Sequence, residues 1–202
     1  MDYWTLTPHV SYGGVMPVPA GRHRVGADRD RLVLNTGRDG LAASAGHDLT
    51  IEAARWSGEL TVGDDGQPSA LDARIDMGAL VVRSGSGGVK PLSDRDKREI
   101  QVQARKTLAS DRYPEATFGN AKFEPGSDGG GTITGTLTLA GRSQPFRLQV
   151  TETGQGKFHA TGSVTQSEFG LKPYSGFFGA LKVRDKVDIA VDVDLSEPAA
   201  GS

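Results

Sequence analysis

Single alternation of apolar and polar residues runs through most of this chain, the period of a strand with one face in a core and one in water. Its clearest stretch is Val187, Ile189, Val191, Val193 and Leu195, set against Asp188, Asp192 and Asp194. Leu49, Ile51 and Ala53 alternate with Thr50, Glu52 and Ala54, and Trp56, Leu60 and Val62 carry the pattern beyond Gly58. Gly63-Asp64-Asp65-Gly66 is a hairpin signal, after which Leu71, Ala73, Ile75 and Met77 alternate with Asp72, Arg74 and Asp76. Ile133, Leu137 and Leu139 stand among threonines at 132, 134, 136 and 138. Phe146, Leu148 and Val150 return after Ala140-Gly141-Arg142, and Phe158, Ala160, Gly162 and Val164 follow. Near the start, Val25, Leu32 and Leu34 predict two short strands joined through Asp28-Arg29-Asp30.

One segment has helical spacing instead. Ser93 followed by Asp96 fits a capping box, and Arg105 and Lys106 stand near the negative end of the dipole. Ile100, Ala104 and Leu108 make one narrow apolar stripe, so a helix over 94–108 lies across something larger. Parallel strands need crossover helices, and with a single helix the sheet must be antiparallel. About eight strands with short turns protect their edges by forming a sandwich or closing a barrel. The expected fold is all-β, an eight-stranded antiparallel lipocalin-like β-barrel with one α-helix packed across it. Residues 1–21 read as an irregular N-terminal strap in which Trp4 and Val10 pack onto the body. Residues 22–196 form a single barrel domain, and 197–202 a flexible tail.

Composition changes the functional picture more than the structural one. With 23 basic and 25 acidic residues the net charge is −2, and no basic stripe carries interleaved aromatics, so nucleic acid is a poor partner. The chain has no cysteine, which excludes disulfides, thiolate metal sites and cysteine nucleophiles. His9, His23, His47 and His159 have no metal-ligand spacing, so neither metal nor cofactor is expected. Ser84 to Lys90 lacks the spacing of a phosphate loop, and Pro91 stands where a magnesium-binding hydroxyl would be needed. The first residues lack the basic and apolar regions of a signal peptide, and no run of ~18 apolar residues occurs. These features predict a cytoplasmic location without integral membrane contact.

Ala53, Ala73, Gly135, Ala160 and Gly162 are small and face inward beside Trp56, Phe118, Phe146 and Phe158. That mixture either leaves volume along the axis for a ligand or relieves crowding where strands bend. From Glu168 to Arg184, Phe169, Leu171, Tyr174, Phe177, Phe178, Leu181 and Val183 sit in glycine-broken sequence without alternation. A loop this apolar is either the lid of a cavity or a plug in the end of the barrel.

Several segments in order resemble the YceI-like lipid-binding family. They are Gly46-His47-Asp48 with Trp56-Ser57-Gly58-Glu59-Leu60, the helix, then Tyr113-Pro114-Glu115-Ala116-Thr117-Phe118. Ile133 to Gly141, Phe169-Gly170-Leu171 and the last strand continue the resemblance, which runs from about Arg22 to Leu195. It implies an extended lipocalin-like barrel holding a polyisoprenoid, an isoprenoid quinone or a fatty acyl chain, as a carrier or store and not as an enzyme.

The candidate ligand-binding residues are Ile51, Trp56, Leu60, Ile75, Met77, Phe118, Leu137, Phe146, Phe158, Phe169, Phe177 and Phe178, with His47 and Lys90 at the head group. His47-Asp48 also supports an alternative, an enzyme or stress-response factor with His47 acting at the barrel mouth. Adjacent strand residues point to opposite faces, which argues against a relay between them. The expected partner is a long-chain isoprenoid or acyl lipid, and an exposed edge strand would allow a homodimer.

Overall fold

The computed structural model describes residues 18–126 and 130–196, so the strap residues Trp4 and Val10 and the tail lie outside the described residues. Twelve strands and one helix follow in order. They are β1 (Gly21–Gly26), β2 (Arg31–Asp39), β3 (His47–Ala53), β4 (Trp56–Val62), β5 (Pro68–Asp76), β6 (Leu80–Gly87) and α1 (Asp94–Thr107). After the helix come β7 (Glu115–Pro125), β8 (Gly131–Leu139), β9 (Arg142–Gly154), β10 (Lys157–Thr165), β11 (Ser175–Gly176) and β12 (Leu181–Asp194).

Twelve segments make eight walls, because three pairs of strands are single long strands with a bend and the two-residue β11 only flanks β12. The β3–β6 ladder ends at Ala53 opposite Leu80, and the β4–β5 ladder starts at Trp56 opposite Ile75. Between them Ala54 N–H donates to Ala79 and Asp76 N–H to Arg55, so one hairpin runs from His47–Gly87 to its turn at Val62–Pro68. β1 and β2 likewise pair with β4 and β3 in turn, bent at a tight turn where the Arg29 and Asp30 amides donate to Gly26. Asp30 Oδ2 takes the Gly26 amide in return at 2.8 Å. Counted this way, each strand is antiparallel to its neighbours in sequence, and β12 pairs with β2 to close the ring. Bends of this kind let a strongly twisted sheet curl back on itself.

Among the described residues two short stretches of edge remain, β1 at one end and β6 at the other. β5 and β7 pair only from Ala73–Phe118 to Asp76–Glu115, and beyond that point α1 packs on β6. The helix forms as its sequence dictates: Ser93 and Asp96 make a reciprocal capping box, with Arg105 and Lys106 in the last turn. Gln101 Oε1 accepts the Val82 amide at 2.9 Å, so the helix supplies a partner that the edge strand lacks. None of the residues of α1 is fully buried, as expected of a helix with a narrow apolar stripe.

One end of the barrel carries the turns Gly63–Gln67 and Gly154–Lys157 and the facing ends of β7 and β8 at Pro125 and Gly131. The other carries the Asp39–His47 loop and the segment from Thr165 to Leu181. That second end is plugged: a 3-10 turn at Gln166–Phe169 and a left-handed Gly170 fold Phe169 and Leu171 into the core. No helix among the described residues is long and apolar enough to cross a membrane.

Candidate functional site

Inside the barrel lies a cavity of about 560 Å³, within the range of small-molecule sites. Trp56, Leu60, Ile75, Met77, Phe118, Leu137, Phe146 and Phe158 all line it, brought to the inner face by strand alternation except Met77, which stands in the turn after β5. Leu32, Leu34, Ile189, Val191 and Val193 complete the opposite wall from β2 and β12. Asp65, Gln67, Pro68, Pro125, Gly126 and Glu152 rim the cavity at the turn-bearing end, which is its mouth among the described residues. Gln166, Leu171 and Leu108 close its floor.

Three of the remaining expected positions are elsewhere, and the Phe177 side chain lies outside the described residues. Ile51 is buried but belongs to the filled half of the barrel, where β3 packs between β2 and β6. Phe169 is buried in the plug and does not line the cavity. Phe177 stands in the 3-10 turn Phe177–Gly179, and Phe178, left-handed at φ 53°, is fully exposed. The apolar segment after Glu168 therefore plugs the end opposite the mouth and is no lid over it.

His47 and Lys90, the expected head-group residues, both lie at the plugged end, and neither lines the cavity. His47 Nε2 is 2.8 Å from the Lys90 carbonyl oxygen, a bond that pins the loop after β6. Its neighbour Asp48 accepts the Arg38 amide and pairs with the Arg38 guanidinium, so the two side chains form no relay. Lys90 is exposed and 4.0 Å from Asp96.

Small inner residues divide into two kinds. Ala73 and Ala160 line the cavity and do leave volume there. At Gly135 the space is occupied, since a Cβ would stand 2.5 Å from Phe118 Cζ. Gly162 likewise lies beneath Phe146, where a Cβ would meet Cζ at 2.9 Å. The two rings meet edge to face at 6.0 Å, so the glycines serve as seats for the aromatic floor of that wall. Ala53 is 1% exposed and sits in solid core.

Sequence reasoning passed over His23 and Gln166. His23 is 3% exposed on β1, opposite Leu60, with Nε2 2.6 Å from the Pro19 carbonyl oxygen. That contact places a hydrogen on Nε2, and among the described residues Nδ1 has no hydrogen-bond partner. Its parity with Val25 was the available signal. Gln166 carries no such signal, because it stands just past the last strand residue of β10 in a 3-10 turn.

Comparison with known proteins agrees with this geometry. A family model described as a YceI-like domain matches residues 35–195. A UPF0312 protein of Shewanella sp. (strain W3-18-1) is 25% identical over 126 residues, 58% of this chain and 61% of that protein. A UPF0312 protein of Pseudomonas putida (strain W619) is 26% identical over 118 residues, 54% of this chain and 57% of its own. The chain thus spans less than two thirds of the length of the curated relatives it matches. Among solved structures, BcnA of Burkholderia cenocepacia superposes with a TM-score of 0.58 at 15% identity, covering 82% of this chain and 96% of BcnA. A mutant CJ YceI protein with a monobromobimane guest gives 0.53 at 17%, covering 71% and 81%. These two show the same fold.

Proposed function

The chain belongs to the YceI-like domain family, and from that premise we propose that its barrel binds one long apolar amphiphile. The observation that carries this reading is the cavity of about 560 Å³, walled almost wholly by aliphatic and aromatic side chains yet not collapsed. Protein interiors are otherwise close-packed, and an apolar hollow of this size loses contacts along its whole lining until something fills it. At about 30 Å³ per water-sized atom it holds roughly 20 non-hydrogen atoms. An acyl chain or a short isoprenoid fits within it, and a longer polyisoprenoid or quinone tail would leave by the mouth.

At ~0.3 kcal/mol per atom, such a ligand gains ~6 kcal/mol, a dissociation constant on the order of tens of micromolar. That strength suits a carrier that loads and releases its cargo. We read the protein as a binder and not as a catalyst, because what converges on the cavity is apolar surface. His47, the residue on which the enzyme alternative rested, is held by the Lys90 carbonyl away from the cavity.

Organic extraction of the purified protein, analysed by mass spectrometry beside a control protein from the same host, tests the reading. The expected result is a long-chain lipid in stoichiometric amount, either as purified or after incubation with isoprenoid and acyl lipids. An extract that stays empty after that incubation overturns it.

A further inference from the structure

The cavity floor carries one polar side chain. Among the described residues its polar lining side chains are Asp65, Gln67 and Glu152 at the rim and Gln166 at the closed end, beside the indole of Trp56, whose Nε1 is sealed within the wall. Gln166 is 8% exposed, and its orientation is fixed from behind. β12 bulges between Val183 and Val187, which takes the Arg184 and Asp185 carbonyls out of the ladder with β2. Gln166 Nε2 donates to both, at 3.0 and 3.4 Å. Reversing the amide would set its oxygen against two carbonyl oxygens, so Nε2 must face the bulge and Oε1 the other way. Among the described residues no donor reaches Oε1. It is also not one of the unpartnered atoms sealed inside the protein, which are His23 Nδ1 and Trp56 Nε1.

Resting on the amphiphile-binding reading, the geometry points to Gln166 as a hydrogen-bond acceptor for the leading end of the ligand. That end must carry an uncharged donor, such as a hydroxyl or an amide N–H. An apolar terminus would strand the glutamine oxygen in a dry pocket, and a buried polar group without a partner is costly. A phosphate would fare worse at either end. Among the described residues no Lys, Arg or His lines the cavity, so a phosphate on the floor would be desolvated without a countercharge. At the rim the charged lining groups are the carboxylates of Asp65 and Glu152, which repel it, and the nearby Lys157 is 3.4 Å from Asp194 on the outer face. The ligand class is therefore a neutral long-chain donor, inserted polar end first.

Displacement of N-phenylnaphthylamine from the full chain by hexadecanol, its methyl ether and its phosphate monoester tests this. Hexadecanol should bind about fivefold to tenfold tighter than the ether, which has the same tail and no donor, and the phosphate should bind weakest. Gln166→Met should bring the alcohol-to-ether ratio to about one while the ether still binds. Should that variant not fold, the Gln166 side-chain amide resonances of the wild type provide the second readout. They should shift on adding the alcohol and not the ether. An unchanged ratio in the variant, an unmoved resonance, or a phosphate that binds as well as the alcohol overturns the assignment. Failure of all three compounds to bind overturns the cavity reading beneath it.

Discussion

Gly135 and Gly162 show how single residues shape the inner wall. Each lies under an aromatic ring, so the missing Cβ is part of the packing and not a void. Gly135→Ala should destabilise the protein by about 1–3 kcal/mol, because the methyl meets Phe118 Cζ and the Gly119 carbonyl oxygen together. A fall in the thermal midpoint measures this, and an unchanged midpoint would show that Phe118 moves freely. Composition identified these positions as small, but a glycine that makes room for a ligand and one that seats a ring look alike in sequence. The same limit hid Gln166, whose role comes from a bulge in β12, about twenty residues away in the chain.

At the level of elements, alternation was legible almost everywhere and continuity was not. The strands around Leu49, Leu71, Leu137 and Val191 fall where their period places them, and the helix starts at its capping box. Nothing in the sequence says that β3 runs on into β4 as one bent strand, since the join depends on cross-strand bonds at Ala54 and Arg55. The helix also has a task beyond covering apolar surface. Gln101→Ala leaves the Val82 amide on β6 without its partner and should cost about 1 kcal/mol. Hydrogen exchange at Val82 should quicken with it, whereas unchanged protection there would mean that another group takes over the amide.

For the whole molecule, acid is the simplest probe. The Glu52 carboxyl is held below its usual range first by the Arg83 hydrogen bond, then by the charges of Arg83 and Arg31. Asp96 is lowered by the Ser93 amide and hydroxyl, and Asp194 to about 2 by the Ser196 hydroxyl and amide, with Lys157 adding to it. Carboxyls lowered in the folded state stabilise it above their unfolded pKa, and that contribution is lost as the pH falls through the folded value. The thermal midpoint should therefore hold from neutral pH to about 5 and decline below about 4, the last part of the fall lying near 2. A melt that stays level down to pH 2 would mean these pairs contribute nothing. The barrel class and the apolar inner face were legible in the sequence at this scale. Which end is open was not, because the plug at Phe169 and Leu171 is a matter of long-range packing.

Closure of the ring has a temporal side. Seven of its eight ladders join strands that follow one another in the chain, whereas the β2–β12 seam unites residues such as Asn35 and Asp188, roughly 150 positions apart. Loop-closure entropy makes that seam the natural last step of folding. Before it forms, the chain is an open trough with its apolar face uncovered, able to take in a lipid sideways along its whole length. After it forms, the same molecule must thread through the mouth. If the barrel binds an amphiphile as proposed, a ligand present at synthesis and one met later would reach the cavity by two routes with different rates.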